Sequence, residues 1–153
     1  MDVARLRAMP LFAALSDDLL AELAERILVE RYHGRMDVVR QGEAGETMYF
    51  LVFGQVEALI GQGEQARQVN VLSPGDYFGE MALLTGAPRS ATIRTTRPAC
   101  LYRLARADFR WLIDREPALE AAVAETVARR RSALNEIGLT DGEDATVIEG
   151  ATQ

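Results

Sequence analysis

Residues 78–91 have the sequence Phe-Gly-Glu-Met-Ala-Leu-Leu-Thr-Gly-Ala-Pro-Arg-Ser-Ala, and this stretch is the most informative in the chain. Gly79 lacks a Cβ, so it can adopt a positive φ and lets a ligand come close to the backbone. The residues from Glu80 to Leu84 predict a single helical turn whose first N–H groups have no partner within the turn. Because free amides at the positive end of a helix bind anions, we expect an anion site at its start.

Two charged side chains in the same stretch extend that anion site. Arg89 follows Pro88, which fixes its own φ and steers Ala87 to an extended conformation, so the guanidinium can return to the anion as a bidentate fork. An ionised Glu80 only accepts hydrogen bonds, and its natural partner is a donor such as a sugar hydroxyl. A ligand that carries a phosphate beside a ribose hydroxyl is a nucleotide, so the two side chains together predict a nucleotide site. The alternative is a surface turn with an ordinary salt bridge.

The order of residues in 78–91 resembles the phosphate-binding cassette of cyclic-nucleotide-binding domains. The shared pattern is Phe-Gly-Glu, an aliphatic residue, Ala-Leu, a short spacer, then Arg, a small residue and Ala. The resemblance covers roughly residues 10–137, and it is closest to the regulatory domains at the C-terminal ends of bacterial cyclic-nucleotide-modulated membrane channels. Its further matches are Gly34, Gly42-Glu43, Gly54 and the Ser73-Pro74-Gly75-Asp76 turn.

The resemblance also implies roles for individual residues. The Ala82 amide would donate to the phosphate, Met81 would pack beside the ligand, and Phe78 would line the pocket unless it is only a core residue. Ser90 would touch the cyclic phosphate or the guanine amino group, which allows cGMP as well as cAMP; its other interpretation is a strand-edge partner. The expected ligand-binding residues are Phe78, Gly79, Glu80, Met81, Ala82, Arg89, Ser90 and Arg130, with Ala58 and Val71 as apolar pocket walls.

Helix signals lie at both ends of the chain, and strand signals lie between them. Ser16 is a good N-cap, and Leu20, Leu23 and Ile27 then recur at helical spacing. Short strands separated by Gly-rich turns, one of them at Gly54-Gln55, predict an antiparallel roll. We therefore expect a mixed α+β fold, an antiparallel, jelly-roll-like β-roll flanked by an N-terminal helix and two C-terminal helices. The expected bounds are 1–137 for the domain, about 3–26 for the N-terminal helices, about 27–105 for the roll and about 106–137 for the C-terminal helices.

The last long helix carries a charged residue on its apolar face. Leu119, Val123, Val127, Arg130 and Leu134 step by four, four, three and four residues, which places them on one side. In one interpretation Arg130 snorkels over the edge of the core. In the other, this face closes over a ligand and Arg130 meets its base or phosphate, as in some channel-type members of the resembled family.

Composition limits the classes of protein to which the chain can belong. Its 153 residues, 48% hydrophobic and 26% charged, suit one globular domain, and the net charge of −6 argues against a general nucleic-acid surface. No apolar run approaches the ~18 residues of a membrane span, and the start lacks a signal pattern. We expect no membrane insertion of this segment and a cytoplasmic location, free or as the cytosolic part of an inner-membrane protein. The acidic residues 138–153 predict a disordered tail.

The sequence offers no candidate for catalysis or metal binding. Cys100, the only cysteine, has the alternating neighbours of a buried strand position and lacks a partner for a disulfide. His33 is the only histidine, so neither a His-based metal site nor a Ser-His-Asp set can be argued. We expect a binding domain without enzymatic activity, metal or cofactor.

Taken together, the residues and the resemblance predict a cyclic-nucleotide sensor, for cAMP and secondarily cGMP. It would regulate an attached effector, in the first place a membrane ion channel, by movement of its C-terminal helix. A regulator of the transcription-factor type is one alternative, but it requires a helix-turn-helix, and the residues after Ile137 are few and acidic. A module that no longer binds nucleotide is the other, and the intact Glu80 and Arg89 argue against it.

Overall fold

The computed structural model describes residues 2–136, with helices at both ends and strands between them. The helices are α1 (Val3–Arg7), α2 (Asp17–Ala24), α3 (Glu80–Thr85), α4 (Arg106–Arg115) and α5 (Ala118–Glu136), and 3-10 turns cover Pro10–Phe12 and Gly63–Gln65. The strands are β1 (Leu28–Tyr32), β2 (Asp37–Val39), β3 (Thr47–Ile60), β4 (Arg67–Leu72), β5 (Tyr77–Phe78) and β6 (Thr92–Ala105). The predicted disordered tail, 138–153, lies outside the described residues.

The six strands form one antiparallel sheet around the long pair β3 and β6. β1 and β2 pair with β6, while β4 and β5 pair with β3. The short cassette helix α3 follows β5 directly, so the sheet positions it at the edge of β3. The predicted mixed α+β fold, an antiparallel β-roll flanked by helices, is confirmed.

The sheet separates two hydrophobic clusters. In β3, Met48 and Phe50 pack with the buried side chains of the helices, and we call this group the helical cluster. Tyr49 and Leu51 pack in the other cluster, inside the roll. This division follows from the strand itself, because successive side chains point to opposite faces of a sheet. The roll interior is therefore available to form one wall of a pocket.

The predicted turn at Gly54-Gln55 is wrong, because β3 runs without a break from Thr47 to Ile60. Gly54 has φ +96° and lies where the register of β3 against β6 shifts, so it forms a bulge that bends the strand. A Cβ at this position would overlap the Pro98 carbonyl and Ala99 of the facing strand. Glycine thus marks a bend in a strand here, and β6 is likewise a single strand through the same bend.

The N-terminal helices begin as the sequence predicts. The Ser16 side chain accepts a hydrogen bond from the Leu19 amide and caps α2, whose Leu20 and Leu23 are fully buried in the helical cluster. None of the helices within residues 2–136 has the length and apolarity needed to cross a bilayer.

The long helix α5 packs its predicted apolar stripe inward. Leu119, Val123, Val127 and Leu134 are buried, and the helix lies against α3 and α4. Its first half belongs to the helical cluster through Leu119 and Val123, while its second half extends beside the roll.

Candidate functional site

A pocket lies where the roll interior meets α3 and α5, with an empty volume of about 750 Å³ that includes open solvent. Mainly apolar walls with a few convergent polar groups are typical of small-molecule sites. Among residues 2–136, three charged residues line the pocket: Glu80, Arg89 and Arg130. The remaining lining residues are Val39, Ala58, Ile60, Val69, Asn70, Leu72, Phe78, Gly79, Met81, Ala82, Ser90, Ala91, Ile93, Ala133 and Leu134.

Gly79 turns the chain from β5 into α3 with φ +89°, a left-handed conformation that favours glycine. A Cβ here would lie 2.7 Å from Arg89 Nη1 and 2.8 Å from the Thr47 carbonyl oxygen, so space also requires glycine. The helix begins at Glu80, as the sequence predicts, and its first N–H groups have no partner within the helix. These amides and the Arg89 guanidinium thus adjoin the same glycine.

Arg89 is held in place by its backbone and by its side chain. Its amide donates to the Glu43 carbonyl at 2.8 Å, and its carbonyl accepts from the Gly42 amide at 2.9 Å. The guanidinium donates to the carbonyl oxygen of Thr47 at 2.8 Å through Nη1 and to its Oγ1 at 2.9 Å through Nη2. Gly45 packs so closely against this group that a Cβ there would overlap it. The direction of the guanidinium is therefore fixed.

The electrostatics of Arg89 favour an anion. The residue is only 7% exposed, and burial lowers the pKa of its guanidinium below the usual value, although arginine stays protonated in proteins. Within residues 2–136 it forms no ion pair with any carboxylate. A buried charge without a counter-ion is costly. An anionic ligand beside Arg89 would offset that cost.

Glu80 is paired with Arg130 of α5. Arg130 Nη1 donates to both carboxylate oxygens of Glu80, at 2.8 Å and 2.7 Å, and its Nη2 donates to the Tyr77 carbonyl at 2.6 Å. Glu80 is 1% exposed, and removing one partner of such a buried pair typically costs about 3–5 kcal/mol. The guanidinium thus turns into the pocket, contrary to the snorkelling interpretation. Its contact with a ligand stays a prediction.

The structure brings nine of the ten predicted ligand-binding residues to the pocket. The prediction that Val71 forms a pocket wall is wrong. Val71 is 41% exposed and pairs with Glu57 on the outside of the β3–β4 ladder. Val71 alternates with Asn70 and Leu72, which line the pocket, and the one-residue shift of register beside Ala58 brings Val69 to the pocket as well. A single-residue shift of this kind moves side chains to the opposite face, which alternation in the sequence does not reveal.

Sequence reasoning missed four residues that position the site. Thr47 and Gly45 orient Arg89, while Tyr77 and Thr126 connect β5 to α5 through a hydroxyl–hydroxyl contact of 2.6 Å. Gly45 carried a usable signal, because it lies in a glycine-rich loop. The other three have ordinary strand or helix positions, and only the tertiary structure identifies them. No cluster of three or more potential metal ligands occurs in the described part of the chain.

The family model for the cyclic nucleotide-binding domain matches residues 29–116. A cyclic nucleotide-gated potassium channel of Mesorhizobium japonicum is 33% identical over 126 residues, which is 82% of this chain and 34% of the channel. The chain spans about a third of the length of the first curated relatives it matches.

Solved structures share the fold. A cAMP-bound protein described as PfPKA-R superposes with a TM-score of 0.81 and 25% identity, covering 90% of this chain and 46% of the other. The catabolite activator protein of Thermus thermophilus superposes with a TM-score of 0.73 and 32% identity, covering 85% of this chain and 62% of the other.

Proposed function

The chain belongs to the cyclic nucleotide-binding domain family, and from this premise we propose that it senses cAMP and, secondarily, cGMP. The observation that carries the proposal is the buried Arg89, which has no acidic partner among residues 2–136 and faces the same pocket as the first turn of α3. A guanidinium beside unpaired amides suits a phosphate that carries one negative charge. The names of the relatives and the cAMP-bound structural neighbour support this choice of ligand.

In the proposed complex each charged residue binds a different part of the nucleotide. The cyclic phosphate lies between Arg89 and the amides of α3, including that of Ala82. The ribose hydroxyl donates to Glu80, whose carboxylate can accept further hydrogen bonds besides those from Arg130. The base lies against the apolar walls, with Ser90 at one side and Arg130 above it. Each of these side chains lines the pocket, which supports the assignment.

The domain acts, in this proposal, as a regulatory part of a larger assembly and has no enzymatic activity of its own. A ligand that contacts α5 better when the helix is docked shifts the helix toward that state, by the difference in its affinity for the two states. The effector we favour is an ion channel, because bacterial potassium channels are among the relatives. We place the domain on the cytosolic side of such a channel.

A regulator of the transcription-factor type is the second candidate, and the similarity to a catabolite activator protein favours it. The two candidates differ in what is attached to the domain: membrane-spanning helices in one and a DNA-binding helix-turn-helix in the other. The sequence of the complete gene would discriminate them. An interaction module that has lost nucleotide binding is tested by the titration below.

Calorimetric titration of the chain with cAMP, cGMP and linear 5′-AMP tests the proposed ligand. We expect saturable binding of cAMP, weaker binding of cGMP and little binding of 5′-AMP, whose doubly charged phosphate does not fit a site built for a cyclic monoanion. The Arg89→Ala protein is the control for the site. If neither cyclic nucleotide binds the parent chain, the proposed function is wrong and the interaction-module interpretation gains support.

A further inference from the structure

Tyr77 connects the phosphate side of the pocket to α5 by three separate groups. Its hydroxyl lies 2.6 Å from Thr126 Oγ1, and its carbonyl accepts from Arg130 Nη2 at 2.6 Å. The Arg130 guanidinium also lies 5.5 Å from the centre of the Tyr77 ring, within range of a cation–π interaction. We call Tyr77, Thr126 and Arg130 the Tyr77 clasp.

The clasp divides α5 into two parts with different surroundings. Before it, Leu119 and Val123 are buried in the helical cluster. After it, Arg130, Ala133 and Leu134 line the pocket and have no part in that cluster. The first part is thus fixed by the core, whereas the second depends on contacts with the pocket rim. Tyr77 supplies the contacts nearest to the boundary.

We propose that Tyr77 is a positioning residue, which holds the second half of α5 over the pocket and aims Arg130 at Glu80. The clasp itself is independent of any ligand. Only its effect on nucleotide affinity rests on the proposed function. Because Tyr77 immediately precedes Phe78 and Gly79, a shift at the start of the cassette reaches α5 directly through the clasp.

Tyr77 is itself rigidly supported. Its ring packs against Phe50 with a centroid distance of 5.6 Å, on the buried side of β3. Burial raises the pKa of its hydroxyl above the usual value, so the group stays protonated at neutral pH and can donate to Thr126. A tyrosine held at its ring and at its backbone can therefore restrain a helix through its hydroxyl.

Thr126 retains other partners when the tyrosine hydroxyl is removed. Arg129 Nη2 donates to Thr126 Oγ1 at 3.1 Å, and Thr126 can donate to the Ala122 carbonyl at 3.4 Å. Consequently Tyr77→Phe removes one contact between β5 and α5 without leaving a buried oxygen unpaired. Thr126→Val removes the same contact from the other side and keeps the shape of the side chain.

The test uses Tyr77→Phe, Thr126→Val and the double variant, with Tyr32→Phe as the matched control. Tyr32 donates to Glu30 on β1 at 2.6 Å, so the control removes a comparable hydrogen bond outside the pocket. Hydrogen exchange is measured first in the ligand-free protein. We expect exchange in residues 127–134 to rise by about 2- to 12-fold in Tyr77→Phe, the range for one hydrogen bond, while residues 119–123 keep their protection.

The second readout is the kinetics of cAMP binding. Dissociation should accelerate by a similar factor, about 2- to 12-fold, with little change in the association rate, because the clasp acts on the closed state. The two substitutions should not be additive, since each removes the same contact. A loss of general stability would instead raise exchange everywhere, and Tyr32→Phe would show it too.

Three results would overturn the proposal: unchanged exchange in residues 127–134, an effect equal to that of Tyr32→Phe, or fully additive effects of the two substitutions. Failure of the parent protein to bind either cyclic nucleotide would overturn the proposed function instead. In that case the exchange data alone decide whether Tyr77 positions α5.

Discussion

Both terminal nitrogens of the Arg89 guanidinium donate to a single residue, Thr47: Nη1 to its carbonyl oxygen at 2.8 Å and Nη2 to its Oγ1 at 2.9 Å. Thr47 is the first residue of β3, so the central strand of the roll sets the direction of the side chain that we assign to the phosphate. A group oriented before the ligand arrives loses less conformational freedom on binding. The proposed anion site is thus preorganised by the roll as well as by the cassette.

Thr47→Val should weaken cAMP binding by about 2- to 12-fold, because it removes one hydrogen bond that orients Arg89 and keeps the other. Valine retains the β-branched shape that suits a strand, so the melting temperature should change little. Calorimetry and thermal unfolding would measure the two effects. Thr96→Val is the control, since Thr96 is exposed and its hydroxyl bonds Gln55 at the bend. Equal affinities in the two variants would mean that Thr47 does not orient the anchor.

Arg89→Ala should weaken cAMP binding by about 30-fold to several thousand-fold, the usual range for losing one partner of a buried charge interaction. Two effects on stability oppose each other in this variant: the Thr47 carbonyl loses its guanidinium donor, and the domain loses a buried charge that has no counter-ion. Thermal unfolding should therefore show a change of no more than about 1 kcal/mol, so that the loss of affinity is not a loss of fold. Unimpaired cAMP binding in titration would remove Arg89 from the site.

Gly45→Ala should impair ligand binding more than it impairs folding. The new Cβ would overlap the Arg89 guanidinium, which must then leave its hydrogen bonds to Thr47 and no longer points at the phosphate. Return of the charged group to water offsets much of the lost hydrogen bonding. Gly63→Ala is the matched control. Gly63 lies in the 3-10 turn between β3 and β4 with φ +58°, and a Cβ added there would meet no other atom within 4 Å, so alanine strains the backbone away from Arg89 and the pocket.

We expect the two variants to show opposite patterns. Gly45→Ala should lower cAMP affinity by at least about tenfold with a small change in melting temperature, and Gly63→Ala should lose about 1 kcal/mol of stability with affinity retained. Titration and thermal unfolding of both proteins provide the comparison. Parent-like cAMP affinity in Gly45→Ala would show that the loop does not position the guanidinium.

Much of this site could be predicted because its chemistry is local. Gly79, Glu80 and Arg89 lie within one short segment, where glycine, a helix start and a proline each restrict the backbone by rules that need no tertiary information. The helical spacing in α5 likewise placed Arg130 on the inward face. Local rules therefore place these four residues, while the expected roles of Met81, Ala82 and Ser90 rest on the family resemblance.

The partners of those groups were not predictable in the same way. Thr47 is 42 residues from Arg89, and Thr126 is 49 residues from Tyr77, so each pair depends on how the sheet and α5 assemble. The bulge at Gly54 and the inward position of Val69, where the sequence predicts Val71, have a related cause. Register shifts follow from pairing between strands, and a glycine inside a strand has the same local signature as a glycine in a turn.

Ser90→Ala should weaken cGMP more than cAMP. Ser90 lines the pocket beside Arg89, and of the two bases only guanine carries an exocyclic amine that can reach this hydroxyl when the base lies over the phosphate. A neutral hydrogen bond contributes about 0.5–1.5 kcal/mol, so the differential effect should be about tenfold or less. Parallel titrations with both nucleotides measure it. Equal losses would assign Ser90 to the phosphate or to the fold.

Truncation after Ala128 tests the second half of α5 as a lid. It removes Arg130 and Leu134 from the pocket and leaves the buried Leu119 and Val123 in place. Because Glu80 also loses its Arg130 partner, stability should fall by up to about 3–5 kcal/mol, and thermal unfolding of the truncated chain measures this loss before the titration. We expect cAMP affinity to fall by at least about tenfold through the lost contacts, while the anchor continues to bind. Arg89→Ala in the truncated chain should then abolish the residual cAMP binding. That result would show that the residual binding depends on Arg89.

Hydrogen exchange of the full chain, with and without saturating cAMP, reports the same helix directly. If ligand favours the docked state, protection in residues 127–134 should rise on binding by a factor set by its differential affinity for the two states, and residues 119–123 should change little, since the core already holds them. Full affinity in the truncated chain together with unchanged protection would exclude this helix from the mechanism. The signal would then have to leave the domain through α3 and α4, where Arg106 donates to the Ala82 carbonyl at 3.0 Å.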